Sequence, residues 1–149
     1  MPEPNRRHPL SPHIDLPVLL LVCAGGAVGT GLRYALSALP AYSWYFQTGT
    51  FAANMLACLA FGLLSAYMAR AGWIDQRRRE LVSRTLGMGV CGGLSTMSTL
   101  TIEVFTTARD LHLWSALAYL LATFACGIGL AWLGGGLGRR LARLREGTR

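Results

Sequence analysis

Cys91-Gly92-Gly93-Leu94-Ser95-Thr96-Met97-Ser98-Thr99 is the stretch on which the fold turns. It lies inside Thr85–Ile102, a segment without a charged residue. Two adjacent glycines weaken a helix, because glycine costs up to about 1 kcal/mol relative to alanine in a helix interior. The dense Ser/Thr run that follows favours helix N-caps, where hydroxyl oxygens accept orphan backbone N–H groups. The pattern predicts a helix that breaks near Gly93 and restarts near Ser95. In hydrocarbon such a break survives only where protein or a water-filled cavity satisfies the freed backbone. Freed carbonyls suit a cation, and a restarted helix N-terminus suits an anion. The same small residues also suit an unbroken helix packed tightly on a neighbour.

The surroundings of this stretch set the class. The chain has 149 residues, room for one domain, and 52% are hydrophobic while 14% are charged. Soluble domains carry about 25% charged residues. Three further segments lack charge altogether: Leu16–Leu32, Tyr34–Ala69 and Leu111–Gly138. A helix needs about 20 mostly apolar residues to cross a hydrocarbon core of about 30 Å. The expected fold is therefore an all-α membrane protein of four transmembrane helices, with spans near 17–38, 48–69, 85–107 and 113–136. The third is broken near its middle. A polar tail (1–15) precedes this membrane domain (16–138), and a basic tail (139–149) follows it. The first span is not a cleavable signal, since it follows a polar tail and more spans come after it.

All fourteen basic residues are arginine, and the net charge is +7. With four spans, the N-terminal tail (Arg6, Arg7), the middle loop (Arg70, Arg77, Arg78, Arg79, Arg84) and the C-terminal tail (Arg139, Arg140, Arg143, Arg145, Arg149) share one side. Arg109 alone lies opposite, and Arg33 sits in or at the end of span one. Arginine excess marks the cytoplasmic side, so both termini are expected there, in the plasma membrane. The arginines lack interleaved aromatics and a scaffold of their own, which argues against nucleic acid. Contact with anionic lipid headgroups is a weaker role for them.

Polar residues inside spans need a partner or a function. Asn54 lies centrally in span two; its amide suits a bond to a neighbouring helix or N–H groups presented to an anion. Arg33 follows a glycine-rich run in which Gly25 and Gly29 permit close helix approach. It either snorkels to the headgroups or stands as a positive charge at an anion vestibule. Ser95, Thr99 and Glu103 are spaced to share one face of a helix, as are Tyr119 and Thr123. Two hydroxyl-bearing faces could line a polar track, or the pair in span four could be an interfacial Tyr and a packed Thr. Cys23, Cys58, Cys91 and Cys126 fall one per span and read as packing residues. His8, His13 and His112 have no second metal ligand at helical spacing. No catalytic constellation and no phosphate-binding loop is present, so an enzyme is not expected.

In order, the chain reads Gly-Gly-x-x-Gly-x-x-x-Arg-Tyr (25–34), Gly-Thr-x-x-x-Asn (49–54), Gly-x-Cys-Gly-Gly-Leu-Ser-Thr-Met-Ser-Thr-Leu-x-x-Glu (89–103) and Tyr119. This resembles the bacterial fluoride-channel family (Fluc, also called CrcB) over about residues 17–137. The third segment is the specific one. The resemblance implies an antiparallel dimer with two fluoride pores lined by both subunits, and passive fluoride export that gives fluoride resistance. It implies a structural Na+ held by the carbonyls of Gly92 and Ser95. It assigns Asn54 to the pore, Arg33 to the vestibule, and Glu103, Tyr119 and Thr123 to pore-side polar positions. Ser98 and Thr99 belong to the same ion path.

The chain departs from that family where its usual segment, Thr-Thr-Phe-Ser-Thr-Phe, brings two phenylalanine ring edges to the ion path. An aromatic edge is electropositive and can face an anion. Met97 and Leu100 stand at those positions here. The arginine bias is a second departure, because antiparallel identical copies must insert both ways. Together they predict an inverted, non-identical partner that carries the phenylalanines and the opposite bias. Two alternatives are a non-conducting assembly subunit and a small multidrug transporter. The latter normally needs a membrane-embedded acid, and spans one and two have none.

Overall fold

The computed structural model describes residues 15–39 and 46–147. The expected N-terminal tail, apart from Asp15, lies outside these residues, as do His8, His13, Arg6, Arg7 and Arg149. Every element among the described residues is a helix. Helix α1 spans Leu16–Ser37 and α2 spans Thr48–Arg70. Then Gln76–Val82, a π-wound stretch Ser83–Cys91 and Gly92–Leu94 follow without interruption. Together these residues, 76–94, are α3. Helix α4 spans Met97–Arg109 and α5 spans Leu113–Glu146.

Three of these helices, α1, α2 and α5, are long and apolar enough to cross a membrane. The fourth expected span is divided between α3 and α4. Their break lies two residues beyond the predicted position. Gly92 and Gly93 are helical, while Ser95 (φ −76°, ψ 150°) and Thr96 (φ −146°, ψ 120°) are extended. Helix α5 continues to Glu146 without a stop at the basic residues, so residues 139–146 of the expected basic tail are helical.

Helix α1 packs on α3, and α2 packs on α5. Both contacts depend on glycine. A Cβ on Gly29 would stand 2.8 Å from the Leu94 nitrogen, and one on Gly134 would stand 3.0 Å from the Leu63 nitrogen. In lipid there is no water to expel from between helices, so backbone proximity and van der Waals contact carry the association. The interior agrees: Ala53, Ala57, Cys91 and Leu94 form its core. Large apolar side chains such as Leu20, Phe61, Trp114 and Trp132 point outward. This inverts the soluble arrangement, as lipid solvation requires.

The packing gathers the basic residues. Asp15 at the start of α1 lines a pocket with Arg77 and Arg84 of α3. Near the end of α5, Arg145 Nη1 donates to the Tyr67 hydroxyl of α2 at 3.0 Å. Arg70, Arg77, Arg78, Arg79, Arg84, Arg139, Arg140, Arg143 and Arg145 thus share one end of the bundle. Arg109 lies at the other, beside the tight α4–α5 turn whose tip is Leu111 (φ 65°).

Candidate functional site

The break in the third span is built by two side chains. Thr96 is the N-cap of α4: its Oγ1 accepts the Thr99 N–H at 3.2 Å. The same hydroxyl donates to Thr99 Oγ1 at 3.0 Å and lies 3.3 Å from Ser98 Oγ. Asn54, buried on α2, clamps the Thr96 main chain. Its Nδ2 donates to the Thr96 carbonyl at 3.2 Å, and its Oδ1 accepts the Thr96 N–H at 2.8 Å. A side-chain amide thus replaces the peptide that the interrupted helix has lost. The bond to a neighbouring element, one of the two roles open to Asn54, is formed.

This arrangement leaves specific carbonyls without helical donors. In a continuous helix the Gly92 carbonyl would accept from the Thr96 N–H, and the Ser95 carbonyl from the Thr99 N–H. The first N–H goes to Asn54 and the second to Thr96 Oγ1. Gly92 and Ser95 are both exposed on the subunit surface. Two hard oxygen atoms, three residues apart on exposed residues, are thereby without their helical donors.

A second cluster stands one turn further along α4. The Glu103 carboxylate accepts from Thr50 Oγ1 at 2.5 Å and from the Tyr119 hydroxyl at 2.9 Å. It ties α2, α4 and α5 together at a half-buried acid, whose charge demands such donors. Phe46 stacks edge-on against Tyr119 with centroids 5.1 Å apart. Thr123 Oγ1 donates back to the Tyr119 carbonyl of its own helix. Thr99 and Glu103 share a face of α4 as expected. Ser95 does not join them, because it lies in the extended break and no longer follows the helical period.

Two grooves flank the break and share Thr96. One, of about 190 Å³, is lined by Asn54, Ser95, Thr96, Met97, Leu100 and Thr123, with Met55, Cys58, Phe124, Gly127 and Ile128 completing its wall. The other, of about 270 Å³, is lined by Thr30, Arg33, Tyr34, Ser37, Gly49, Thr50, Thr96 and Thr99. Arg33 therefore lines this groove together with Thr50 and Thr99. Met97 is exposed, whereas Leu100 is 2% exposed and forms the groove's floor. Ser98 is exposed on the first turn of α4.

A family model described as "CrcB-like protein, Camphor Resistance (CrcB)" matches residues 20–135. The chain belongs to the CrcB family. Among similar CrcB proteins is the "Fluoride-specific ion channel FluC 2" of Bifidobacterium longum (strain NCC 2705), 53% identical over 131 residues, 88% of this chain and 73% of that one. The "Fluoride-specific ion channel FluC" of Pyrococcus furiosus is 38% identical over 129 residues, covering 85% of this chain and 100% of its own. That of Methylobacillus flagellatus is 33% identical over 119 residues, 78% of this chain and 90% of its own. The CrcB match spans α1 through most of α5 and includes both grooves and the break.

Thr96 and Thr50 were not singled out from the sequence, although both lie in the motifs that carried the resemblance. The signal for Thr96 was present: a Thr directly before a restarting helix is a favoured N-cap residue. Thr50 carried no such signal, since its partner Glu103 is 53 residues away.

Proposed function

We propose that this chain is one subunit of a fluoride channel that exports the ion passively and confers fluoride resistance. It crosses the plasma membrane four times with both termini in the cytoplasm, and it works against an inverted partner. The observation that carries the reading is the clamped break between α3 and α4. A structure that interrupts a helix inside an apolar bundle, caps the restart and leaves grooves on both sides exists to handle ions.

The chemistry suits a small anion. The N-terminus of α4 turns its positive dipole end toward the Asn54 groove. Asn54 uses one amide N–H on Thr96, and the second remains to meet an anion. Arg33 supplies positive charge in the neighbouring groove, and Thr99, whose oxygen accepts from Thr96, keeps its own proton to donate. Glu103 is held by Thr50 and Tyr119, whose hydroxyl dipoles fix its carboxylate and offset part of its repulsion of the ion. Ser98, Thr99, Tyr119 and Thr123 complete the polar side of the path.

The Gly92 and Ser95 carbonyls fit a Na+ at the subunit surface. Hard cations take several oxygen ligands, more than two carbonyls provide, so the remaining oxygens come from a second subunit. The cation would supply fixed positive charge that holds two breaks together. Met97 and Leu100 offer no ring edge to the ion, so the inverted partner provides the phenylalanines.

The test is fluoride efflux from proteoliposomes, read with a fluoride electrode, for this chain alone and with candidate homologous partners. Efflux that appears or rises sharply on co-reconstitution is the expected result. Fast efflux from a symmetric antiparallel homodimer would remove the non-identical partner. No efflux with any partner, and no rescue of cells on fluoride, would remove the channel assignment.

A further inference from the structure

We infer that the outer face of α5 near its C-terminal end holds the headgroup of an anionic phospholipid. The site is a groove of about 260 Å³ lined by Trp132, Leu133, Gly136, Leu137, Arg139 and Arg140. It faces away from α2: Gly134 and Gly138 press on Leu63 of α2, whereas a Cβ added to Gly136 would meet nothing within 4 Å. Trp132, Gly136 and Arg140 follow at intervals of four on that open side. Trp132 is 75% exposed.

Three observations select the occupant. The first is depth. Helix α5 has 34 residues, about 50 Å at 1.5 Å per residue, against a hydrocarbon core of about 30 Å. Measured from Leu113, about 20 residues reach the far boundary, which places Trp132 where indoles sit at the interface. Arg139 and Arg140 then lie about 10 Å further out, in the headgroup layer.

The second is charge. No acidic residue lines this groove, unlike the pocket at the start of α1, where Asp15 and Glu80 accompany Arg77 and Arg84. Among the described residues neither Arg139 nor Arg140 has a hydrogen-bond partner, whereas Arg145 on the same helix donates to Tyr67. Arg139 lies back along α5, its Nη1 3.5 Å from where a Gly135 Cβ would stand. Two uncompensated guanidinium groups beside an apolar trough match a phosphodiester that carries acyl chains.

The third is the trough itself. Leu133, Gly136 and Leu137 form an apolar floor that continues into the lipid-facing surface. A soluble phosphate would use the arginines and leave that floor in contact with nothing. A phospholipid uses both.

The experiment reconstitutes the full-length chain, with its partner where one is required, in phosphatidylcholine nanodiscs. These contain brominated phosphatidylglycerol or, at equal mole fraction, brominated phosphatidylcholine, and tryptophan emission is read. Each arginine near the surface favours an anionic lipid about fivefold, so the pair gives a preference on the order of 25-fold in competition titrations. The excess quenching by phosphatidylglycerol should vanish in Trp132→Phe, which removes the reporter. It should fall to no preference in Arg139→Gln/Arg140→Gln and persist in Arg77→Gln/Arg78→Gln. Gly136→Leu, at a position where an added Cβ meets nothing within 4 Å, fills the trough, keeps both arginines and should also abolish the preference. Equal quenching by the two lipids, or an excess that survives Arg139→Gln/Arg140→Gln, overturns the inference. So does a Trp132 that neither lipid quenches, since another protein chain would then cover this face.

Discussion

Asn54 holds the Thr96 peptide with both ends of its amide, and the consequences of losing that grip follow from the bonds. In Asn54→Ala the Thr96 N–H and carbonyl lose their partner inside the bundle. A buried unpaired group costs about 1–3 kcal/mol in water-soluble proteins. Hydrogen bonds between membrane helices average nearer 0.6 kcal/mol. The expected loss is therefore about 1–3 kcal/mol in total, read as a lower thermal midpoint of the purified protein, with fluoride efflux falling to background. Wild-type stability and efflux in that variant would show the clamp to be incidental. At Thr96 the test is a pair. Thr96→Val removes the cap on the Thr99 N–H and should cost about 1 kcal/mol; Thr96→Ser keeps the hydroxyl and should recover most of it. Both variants leave the Asn54 bonds to the main chain intact, and valine keeps the threonine methyl that serine lacks, so a loss in Ser with none in Val would implicate packing of that methyl instead. At this scale the sequence was informative for one half of each pair. A lone amide in an apolar run announces itself, but its partner 42 residues away does not.

The elements are arranged by small residues, and there the sequence misled in an instructive way. The two glycines at 92 and 93 suggested the point of rupture, yet both are helical. Gly93 instead packs against the Gly26 backbone of α1. What breaks the helix is the side-chain competition at Ser95–Thr96, where Asn54 and the Thr96 hydroxyl take the N–H groups that would have continued it. Glycine's propensity cost was offset by the close approach it permits, and propensity alone cannot weigh the two. The existence of a break was legible because the hydroxyl run can cap a restart; its position was not, because Asn54 lies on another helix. Close approach gives a paired prediction. Gly29→Val drives a branched side chain into Val90 and Leu94, and overpacking of this kind costs about 1–3 kcal/mol. Gly31, on the same helix, meets nothing within 4 Å. Gly31→Ala should be neutral in assembly or stabilising by up to about 1 kcal/mol. Thermal midpoints and monodispersity in detergent check both, and an equal response at the two positions would mean that α1 does not approach α3 through Gly29.

At the scale of the whole molecule, nine described arginines lie at one end of the bundle, whereas Arg109 lies at the other and Arg33 near that other end, beside the start of α2. This was the most legible property of all, because charge-free stretches and arginine positions need no tertiary information. What the sequence could not supply was that α5 carries its arginines outward on a continuous helix, with Arg145 tied to α2. Arginines anchored in this way resist translocation as a group, so the chain should insert in one orientation only. A C-terminal reporter active only in the cytoplasm should give full signal, and its periplasmic counterpart none. Replacing Arg77, Arg78, Arg79, Arg139 and Arg140 with glutamine while adding arginines beside Arg109 should produce both signals. The consequence for assembly is direct. A population inserted one way contains no inverted copy of itself, so an antiparallel pair must recruit a chain of opposite bias. Should the unaltered chain give strong signals from both reporters, the two orientations coexist. The requirement for a second gene product would then disappear, whatever Met97 and Leu100 do to the ion path.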